Sequence, residues 1–154
     1  MPAYAATETI NTLRKKYGEY SYKEATLNPT NPRNRTADWE ADVVNRFRNY
    51  PEVKEVVGER QSSTGRSLFI AKPIQITNAA CLQCHTTAAM APPTMVKIYG
   101  EANGFGWKHN EIIGAQVVTA GVQKMAPGLK VALPGAALAD ANLTQLNTTQ
   151  QAAR

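Results

Sequence analysis

The sequence predicts an α+β fold, because helix-like patterns come first and strand-like patterns follow. Apolar residues recur every three or four positions up to about residue 50, and the period shortens beyond it. Helices followed by a run of strands are typical of α+β domains. With 154 residues, the chain is long enough for one domain with a single core.

The first predicted element is a helix over residues 3–24. Apolar residues recur at three- and four-residue spacing, as one helix face requires: Ile10, Leu13, Tyr17 and Tyr20. Gly18 weakens this helix. Residues 28–35 contain two prolines and three asparagines, so they are predicted to form an ordered loop.

A second helix is predicted between Thr36 and Pro51. Thr36 is a suitable N-cap, Asp38 and Glu40 favour the first turn, and Pro51 stops the helix. Its apolar stripe is spaced like a helix face: Trp39, Val43, Phe47 and Tyr50.

Strands are predicted at residues 53–57 and 67–76, joined by a polar turn at 61–65. Pro73 lies inside the second strand and therefore predicts an edge position or a bulge.

The remaining elements follow from turn signals and composition. A short helix is predicted at 94–99, a glycine-rich turn at 100–107 and a strand at 111–119. The expected division is a domain over residues 1–125 and a tail over 126–154, which is rich in Ala, Asn, Gln and Thr and forms either a weak helix or a disordered segment.

Both cysteines and one of the two histidines lie in five consecutive residues, Cys81-Leu82-Gln83-Cys84-His85. This pattern predicts a c-type haem site, where two thiols add to the porphyrin vinyl groups and the adjoining imidazole ligates the iron. Cys81 and Cys84 are then the thioether anchors of one haem c, and His85 is the proximal iron ligand.

Three other interpretations of the cysteine pair stay open. A thioredoxin-type dithiol would need a redox helix after a β-strand, and the residue after the second cysteine would not need to be histidine. A disulfide would close a very short loop and stabilise little. A zinc site would need four ligands, and His109 is the only other histidine.

Charge and hydropathy limit the partners and the compartment. The net charge of +5 is scattered without interleaved aromatic residues, which argues against nucleic acid. The sequence has no evident export signal or membrane span. Because this haem chemistry takes place outside the cytoplasm, we expect an extracytoplasmic location, in the periplasm or thylakoid lumen, and a signal or anchor missing from this sequence. A cytoplasmic chain with a fortuitous motif is the alternative.

Four segments occur together in one known family: residues 22–35, 81–85, 99–107 and 111–118. On these segments the chain resembles the c-type haem-binding PAS-like domains, first catalogued as a domain of unknown function. Members are free-standing cyanobacterial haem proteins and extracytoplasmic sensor domains of kinases and chemoreceptors. The resemblance implies a central antiparallel sheet with flanking N-terminal helices, haem against one face, and redox or ligand sensing.

The second iron ligand is left open by the resemblance. Some relatives use a cysteine outside the motif, and this chain has none. The distal position is therefore open, filled by another residue type, or completed by a missing N-terminal segment. His109 is one candidate, although a solvated turn is the commoner position for such a histidine. The methionines are further candidates, with core packing as the alternative: Met90, Met95 and Met125.

Basic side chains are candidates to pair with the haem propionates, with ordinary surface charge as the alternative for each: Arg33, Arg35, Arg66 and Lys72. Trp107 is expected in the core or at the porphyrin edge, where its indole N–H needs an acceptor. Arg33, Arg66 and Trp107 are thus the predicted cofactor-binding residues outside the motif.

The predicted function is a redox or small-gas sensor with one covalent haem. A low- to moderate-potential electron-transfer cytochrome is the alternative. An enzyme is not expected, because the sequence shows no distal histidine with an arginine partner, as a peroxidase-like site would need. The expected partners are haem, a small gas or a redox protein, and a homodimer is a further option.

Overall fold

The computed structural model describes residues 2–63 and 65–122. Four helices lie within these ranges: α1 (Pro2–Leu13), α2 (Asp38–Asn49), α3 (Leu82–His85) and α4 (Pro93–Tyr99). The strands of the same ranges are β1 (Tyr20–Thr26), β2 (Val56–Ser62), β3 (Gly65–Gln75) and β4 (Ile112–Gly121). The predicted α+β class is confirmed, whereas Met125 and the predicted tail over 126–154 lie outside the described residues.

The four strands form one antiparallel sheet in the order β1-β4-β3-β2. In the middle of the sheet, Ala25 pairs with Ala115, and Ala71 pairs with Val117. These small or β-branched side chains let a helix approach the sheet closely.

Helix α2 covers this part of the sheet and forms the core with it. Phe47 and Val44 are fully buried. The buried core residues come from the helix and three strands: Ala25, Val43, Val44, Phe47, Ala71, Ile112, Ala115 and Val117. Val43 and Phe47 of the predicted stripe lie on this face, and Trp39 packs against it. Tyr50 of the predicted stripe is 56% exposed at the C-cap, and Val44, which the stripe did not include, is fully buried.

The start of α2 differs slightly from the prediction. Ala37, and not Thr36, is the N-cap, and Glu40 accepts a hydrogen bond of 2.7 Å from the Ala37 N–H. The buried Glu40 carboxylate also pairs with Lys23 of β1 at 2.6 Å. One carboxylate thus caps the helix and joins it to the sheet.

The predicted helix over residues 3–24 is wrong in its second half. Helix α1 ends at Leu13, and Tyr20–Thr26 form strand β1, which pairs along its whole length with β4. The helical spacing of Tyr17 and Tyr20 misled the prediction, because Tyr20 belongs to a strand. As a strand, this segment pairs with β4 and places Ala25 in the buried core, so its burial in the sheet outweighs the helical spacing.

The predicted hairpin is present with shifted ends. Strand β2 begins at Val56 and extends to Ser62, so the turn to Gly65 is tighter than predicted. Strand β3 lies inside the sheet, but Pro73 lies beyond Ala71, where the pairing with β2 stops. Pro73 is therefore flanked by a strand on one side only, which resolves the conflict between a proline and an interior strand.

Three irregular segments meet at one end of the sheet. The Leu27 N–H donates to the Ile113 carbonyl at 3.4 Å, so the loop after β1 begins beside the start of β4. The Ile76 N–H donates to the Glu111 carbonyl at 2.9 Å, which brings the end of β3 to the same place. The loop of residues 28–35, the cysteine motif and the turn of residues 100–107 are consequently neighbours.

Within the described ranges, none of the helices combines the length and the apolar character that crossing a membrane requires.

Candidate functional site

The cysteine motif forms one helical turn at this end of the sheet. The Asn78 side chain accepts a hydrogen bond of 2.9 Å from the Ala80 N–H and thereby starts the turn. Cys81 is exposed and Cys84 is half-buried, and both thiols are free. Residues three apart in a helical turn lie on the same side, so both thiols can reach one planar group.

The side chain of His85 is held by a backbone carbonyl. His85 Nδ1 lies 2.7 Å from the carbonyl oxygen of Gly104. Because a carbonyl can only accept, Nδ1 carries the proton, and in the neutral imidazole Nε2 then carries the lone pair. This tautomer leaves Nε2 as the atom that can bind a metal, and a hydrogen bond of this kind raises the basicity of an imidazole ligand.

The imidazole of His85 is also fixed by stacking. The ring of Trp107 lies parallel to it, at 9° between the planes and 4.0 Å between the ring centres. The backbone adds two hydrogen bonds, from Trp107 N–H to the His85 carbonyl at 3.3 Å and from Gly106 N–H to the Thr86 carbonyl at 2.9 Å. His85 therefore has a defined ring orientation before any ligand binds.

Asn28 ties the turn of residues 100–107 to the loop after β1. Its side-chain oxygen accepts from the Gly104 N–H at 3.0 Å, and its amide nitrogen donates to the Phe105 carbonyl at 2.9 Å. Gly104 has φ 84°, and an added Cβ would lie 2.7 Å from Thr30 Cα. The close contact needs a glycine at this position.

Two polar atoms are buried around this turn without a hydrogen-bond partner in the part of the chain that the structure describes: Thr30 Oγ1 and Trp107 Nε1. A buried N–H without an acceptor costs free energy, because it has lost its water. The Trp107 indole is thus a donor next to His85 that a bound group with an acceptor oxygen would satisfy.

These residues fit the predicted haem. Cys81 and Cys84 supply two free thiols from one turn, and His85 supplies an imidazole whose Nε2 is available. Trp107 supplies a buried donor of the kind that a carboxylate-bearing porphyrin could use.

The other interpretations of the cysteine pair receive no support. Helix α3 is a single turn of four residues, too short for the redox helix of a thioredoxin-type dithiol. Among residues 2–63 and 65–122, no group of three or more His, Cys, Asp or Glu side chains could hold a metal ion, so the ligands of a zinc site are not assembled there.

Two of the candidate arginines lie in the loop of residues 28–35. Arg33 reaches helix α1, where its guanidinium lies 3.5 Å from Glu8 and over the ring of Tyr4. Arg35 donates to the Asn103 side chain at 2.9 Å and so contacts the turn that holds His85.

The other two basic candidates lie on β3. Arg66 is at the start of this strand, at the opposite end from the motif, and pairs with Glu59 at 3.3 Å. Lys72 pairs with Glu55 at 3.4 Å. The structure does not bring Arg66 to the surroundings of His85.

The candidate distal ligands are scattered. His109 is exposed in the turn before β4. Met90 is 60% exposed, and Met95 is half-buried on α4. Met125 lies outside the described residues.

Sequence reasoning did not find the roles of Asn28 and Gly104. Both stand in segments that carried the family resemblance, but an Asn-Pro loop and a glycine-rich turn predict only local chain reversal. Their hydrogen bond joins two segments that are 76 residues apart in the sequence, so no local pattern predicts it.

The fold and the site define a class of protein: an α+β domain with a Cys-x-x-Cys-His turn at one end of an antiparallel sheet. The loop of residues 28–35 and the turn of residues 100–107 hold this motif in place, and together they are called the clamp. The chain belongs to the Tll0287-like family, whose model matches residues 1–120, and this confirms the family predicted from the sequence.

A solved structure shares the fold. It is described as the crystal structure of the cyanobacterial heme-protein Tll0287, and it superposes with a TM-score of 0.65 at 18% identity. The match covers 80% of this chain and 74% of that chain. No curated protein sequence matches the chain.

Proposed function

We propose that this protein carries one haem c, attached through Cys81 and Cys84, with His85 as the proximal iron ligand. The hydrogen bond from His85 Nδ1–H to the Gly104 carbonyl is the observation that carries the proposal, because it leaves Nε2 free for iron. The shared fold with a protein described as a haem protein supports it.

The bound haem would supply a redox-active iron with an exchangeable ligand position. Trp107 and the Gly104 carbonyl would orient the imidazole of His85, and the buried indole N–H would donate to a polar group of the cofactor. Arg35 is the candidate arginine that contacts the same turn through Asn103, although its guanidinium already has a partner there.

We further propose that the haem acts as a redox or small-gas sensor in a PAS-like domain. The turn that clamps His85 is bonded to Asn28, and the loop beginning at Asn28 reaches Glu8 of α1 through Arg33. This continuous set of contacts supports α1 as the element that responds to a change at the iron. Electron transfer is the competing role.

The proposal includes an extracytoplasmic location, because covalent attachment of haem to this motif takes place there. If this location is right, covalent attachment should require export, and the expression experiment described next tests that requirement.

Covalent attachment is tested by expressing the chain with an export signal and a haem maturation system. We expect a haem-staining band on a denaturing gel that survives acid-acetone extraction. The double variant Cys81→Ser with Cys84→Ser should lose the stain, and expression without export should give a colourless band. Extraction of the colour from the parent protein would contradict the proposal.

The role of His85 is tested by optical spectra in both oxidation states. His85→Ala should retain part of the covalent haem but lose the parent spectrum, whereas His109→Ala is the matched histidine control and should leave proximal ligation intact. Unchanged spectra for His85→Ala would refute the ligand assignment.

Sensing and electron transfer are separated by ligand exchange. A sensor should bind carbon monoxide in the reduced state, because an exchangeable position is needed for a gas to act. Rapid electron exchange without carbon monoxide binding would favour the carrier.

A further inference from the structure

A cavity of about 430 Å³ lies at the end of the sheet opposite to His85. It is bordered by the residues that follow α1, by the start of β1, by the hairpin of β2 and β3, and by the end of β4. None of its lining residues belongs to the haem site proposed above.

The lining consists mainly of side chains that donate hydrogen bonds. Three are arginines and four are buried or half-buried hydroxyl residues: Arg14, Arg60, Arg66, Ser21, Ser62, Ser67 and Thr119. Glu19 is the one carboxylate among the described lining residues. Guanidinium and hydroxyl groups together are the usual donors to the oxygen atoms of an anion.

Protein carboxylates neutralise the arginines only in part. Arg66 pairs with Glu59 at 3.3 Å, but Arg14 and Arg60 form no ion pair within residues 2–63 and 65–122. Even if Glu59 is counted with Glu19, three arginines against two glutamates leave an excess of one positive charge. Like charges held around one cavity favour the binding of an anion.

Arg60 is held in place before any ligand arrives. Its guanidinium lies over the ring of Trp39 at 4.5 Å from the ring centre. Its backbone carbonyl faces the buried Ser67 hydroxyl, at 3.5 Å, across the β2 and β3 pair. Stacking on an aromatic ring leaves the edge of a guanidinium free to donate to an anion.

The sheet itself changes character at the cavity. The face that carries the apolar core continues through Phe69, which lies in one cross-strand row with the hydroxyl residues Thr119 and Ser21. The next residue of β3 on this face is Ser67. Ser21 and Thr119 hydrogen-bond to each other at 2.5 Å. A half-buried polar face of this kind contributes little to a core, so packing alone does not explain it.

We propose that this cavity is a binding site for a small oxyanion, a ligand that carries a phosphate or a carboxylate group. Arg14 and Arg60 bind its charge, and the hydroxyls of Ser21, Ser67 and Thr119 line its surroundings. The site is separate from the haem site, at the other end of β3 and β4.

Binding is tested by calorimetric titration of the full-length protein with inorganic phosphate and, separately, with succinate. Saturable binding of either probe at millimolar concentration or tighter is expected, and the better probe identifies the anionic group. Loss of one charge-assisted hydrogen bond should weaken binding about tenfold or more, so Arg14→Gln and Arg60→Gln should each show this effect.

Arg46→Gln is the control, because Arg46 is an exposed arginine on α2 outside the lining and its loss changes the net charge equally. Ser67→Ala provides a second variant without a change of charge, and it should also weaken binding. Absence of saturable binding, or equal weakening by Arg46→Gln, would overturn the proposal. The result is independent of the haem, since Cys81→Ser with Cys84→Ser should leave anion binding unchanged.

Discussion

At the scale of single residues, the site depends on contacts to backbone atoms more than on contacts between side chains. His85 donates to the Gly104 carbonyl. Asn28 accepts from the Gly104 N–H and donates to the Phe105 carbonyl. An imidazole whose Nδ1 proton is fixed in this way presents a defined Nε2 lone pair.

Asn28→Ala should loosen this arrangement. It removes two hydrogen bonds and leaves the Gly104 N–H without its acceptor, so the free energy of unfolding should fall by about 1–3 kcal/mol. Because the turn also holds His85, the haem midpoint potential should shift as well. Urea denaturation and redox titration measure the two effects.

Asn45→Ala is the control for that change, because Asn45 is an exposed residue of α2. Asn45→Ala should leave the haem midpoint potential unchanged. An unaltered potential in Asn28→Ala, despite lower stability, would show that the loop does not position the imidazole.

The two glycines of the clamp offer a matched comparison. Gly104 and Gly106 have similar positive φ, 84° and 80°, so alanine strains the backbone at both positions by about 1 kcal/mol. An added Cβ meets nothing at Gly106, whereas at Gly104 it collides with Thr30. Gly104→Ala should therefore be clearly the more destabilising, by thermal or urea denaturation. Equal losses for the two variants would mean that the contact with Thr30 relaxes without cost.

At the scale of elements, α2 is the part that holds the sheet together. It packs against β1, β3 and β4, and the ring of Trp39 contacts Arg60 of β2. Its first turn is joined to β1 through Glu40 and Lys23. The proposed haem site lies at one end of this sheet, so it inherits its rigidity from the core.

Phe47→Ala should test that dependence. Phe47 is fully buried, and loss of such a side chain costs about 3–5 kcal/mol because a cavity remains. The adjacent control is Tyr50→Ala, since Tyr50 is 56% exposed and its removal should change the free energy of unfolding by less than about 1 kcal/mol. Chemical denaturation of both variants gives the comparison, and a loss below 1 kcal/mol for Phe47→Ala would contradict the assignment of the core.

At the scale of the whole molecule, the two ends of the sheet carry different chemistry. One end holds the cysteine motif and its clamp, and the other holds the arginine-lined cavity. Helix α1 has contacts toward both: Glu8 pairs with Arg33 of the loop of residues 28–35, and Arg14, the residue after the helix, lines the cavity.

This arrangement predicts that α1 responds to a change in the oxidation state or ligand of the haem iron. If the domain is a sensor, reduction or carbon monoxide should change amide hydrogen exchange over α1, because a ligand shifts a conformation only when it interacts differently with two states. Arg33→Gln removes the contact with Glu8 and should weaken this change, whereas Arg46→Gln should not. Identical exchange in all haem states would exclude α1 as the output and favour electron transfer.

The sequence by itself determined the features that depend on neighbouring residues. The spacing of Cys81, Cys84 and His85 is local, and so is the apolar stripe of α2 that ends at Pro51. The family resemblance rested on the same kind of short segments and is confirmed over residues 1–120.

Only the tertiary structure decided what depends on distant partners. Tyr20–Thr26 became a strand because β4, far along the chain, completes its ladder. Arg66 has the chemistry of a propionate partner, but β3 carries it to the end of the sheet opposite to His85. Asn28 and Gly104 became the clamp of the site for the same physical reason: their hydrogen bonds join segments that are close only after the sheet has formed.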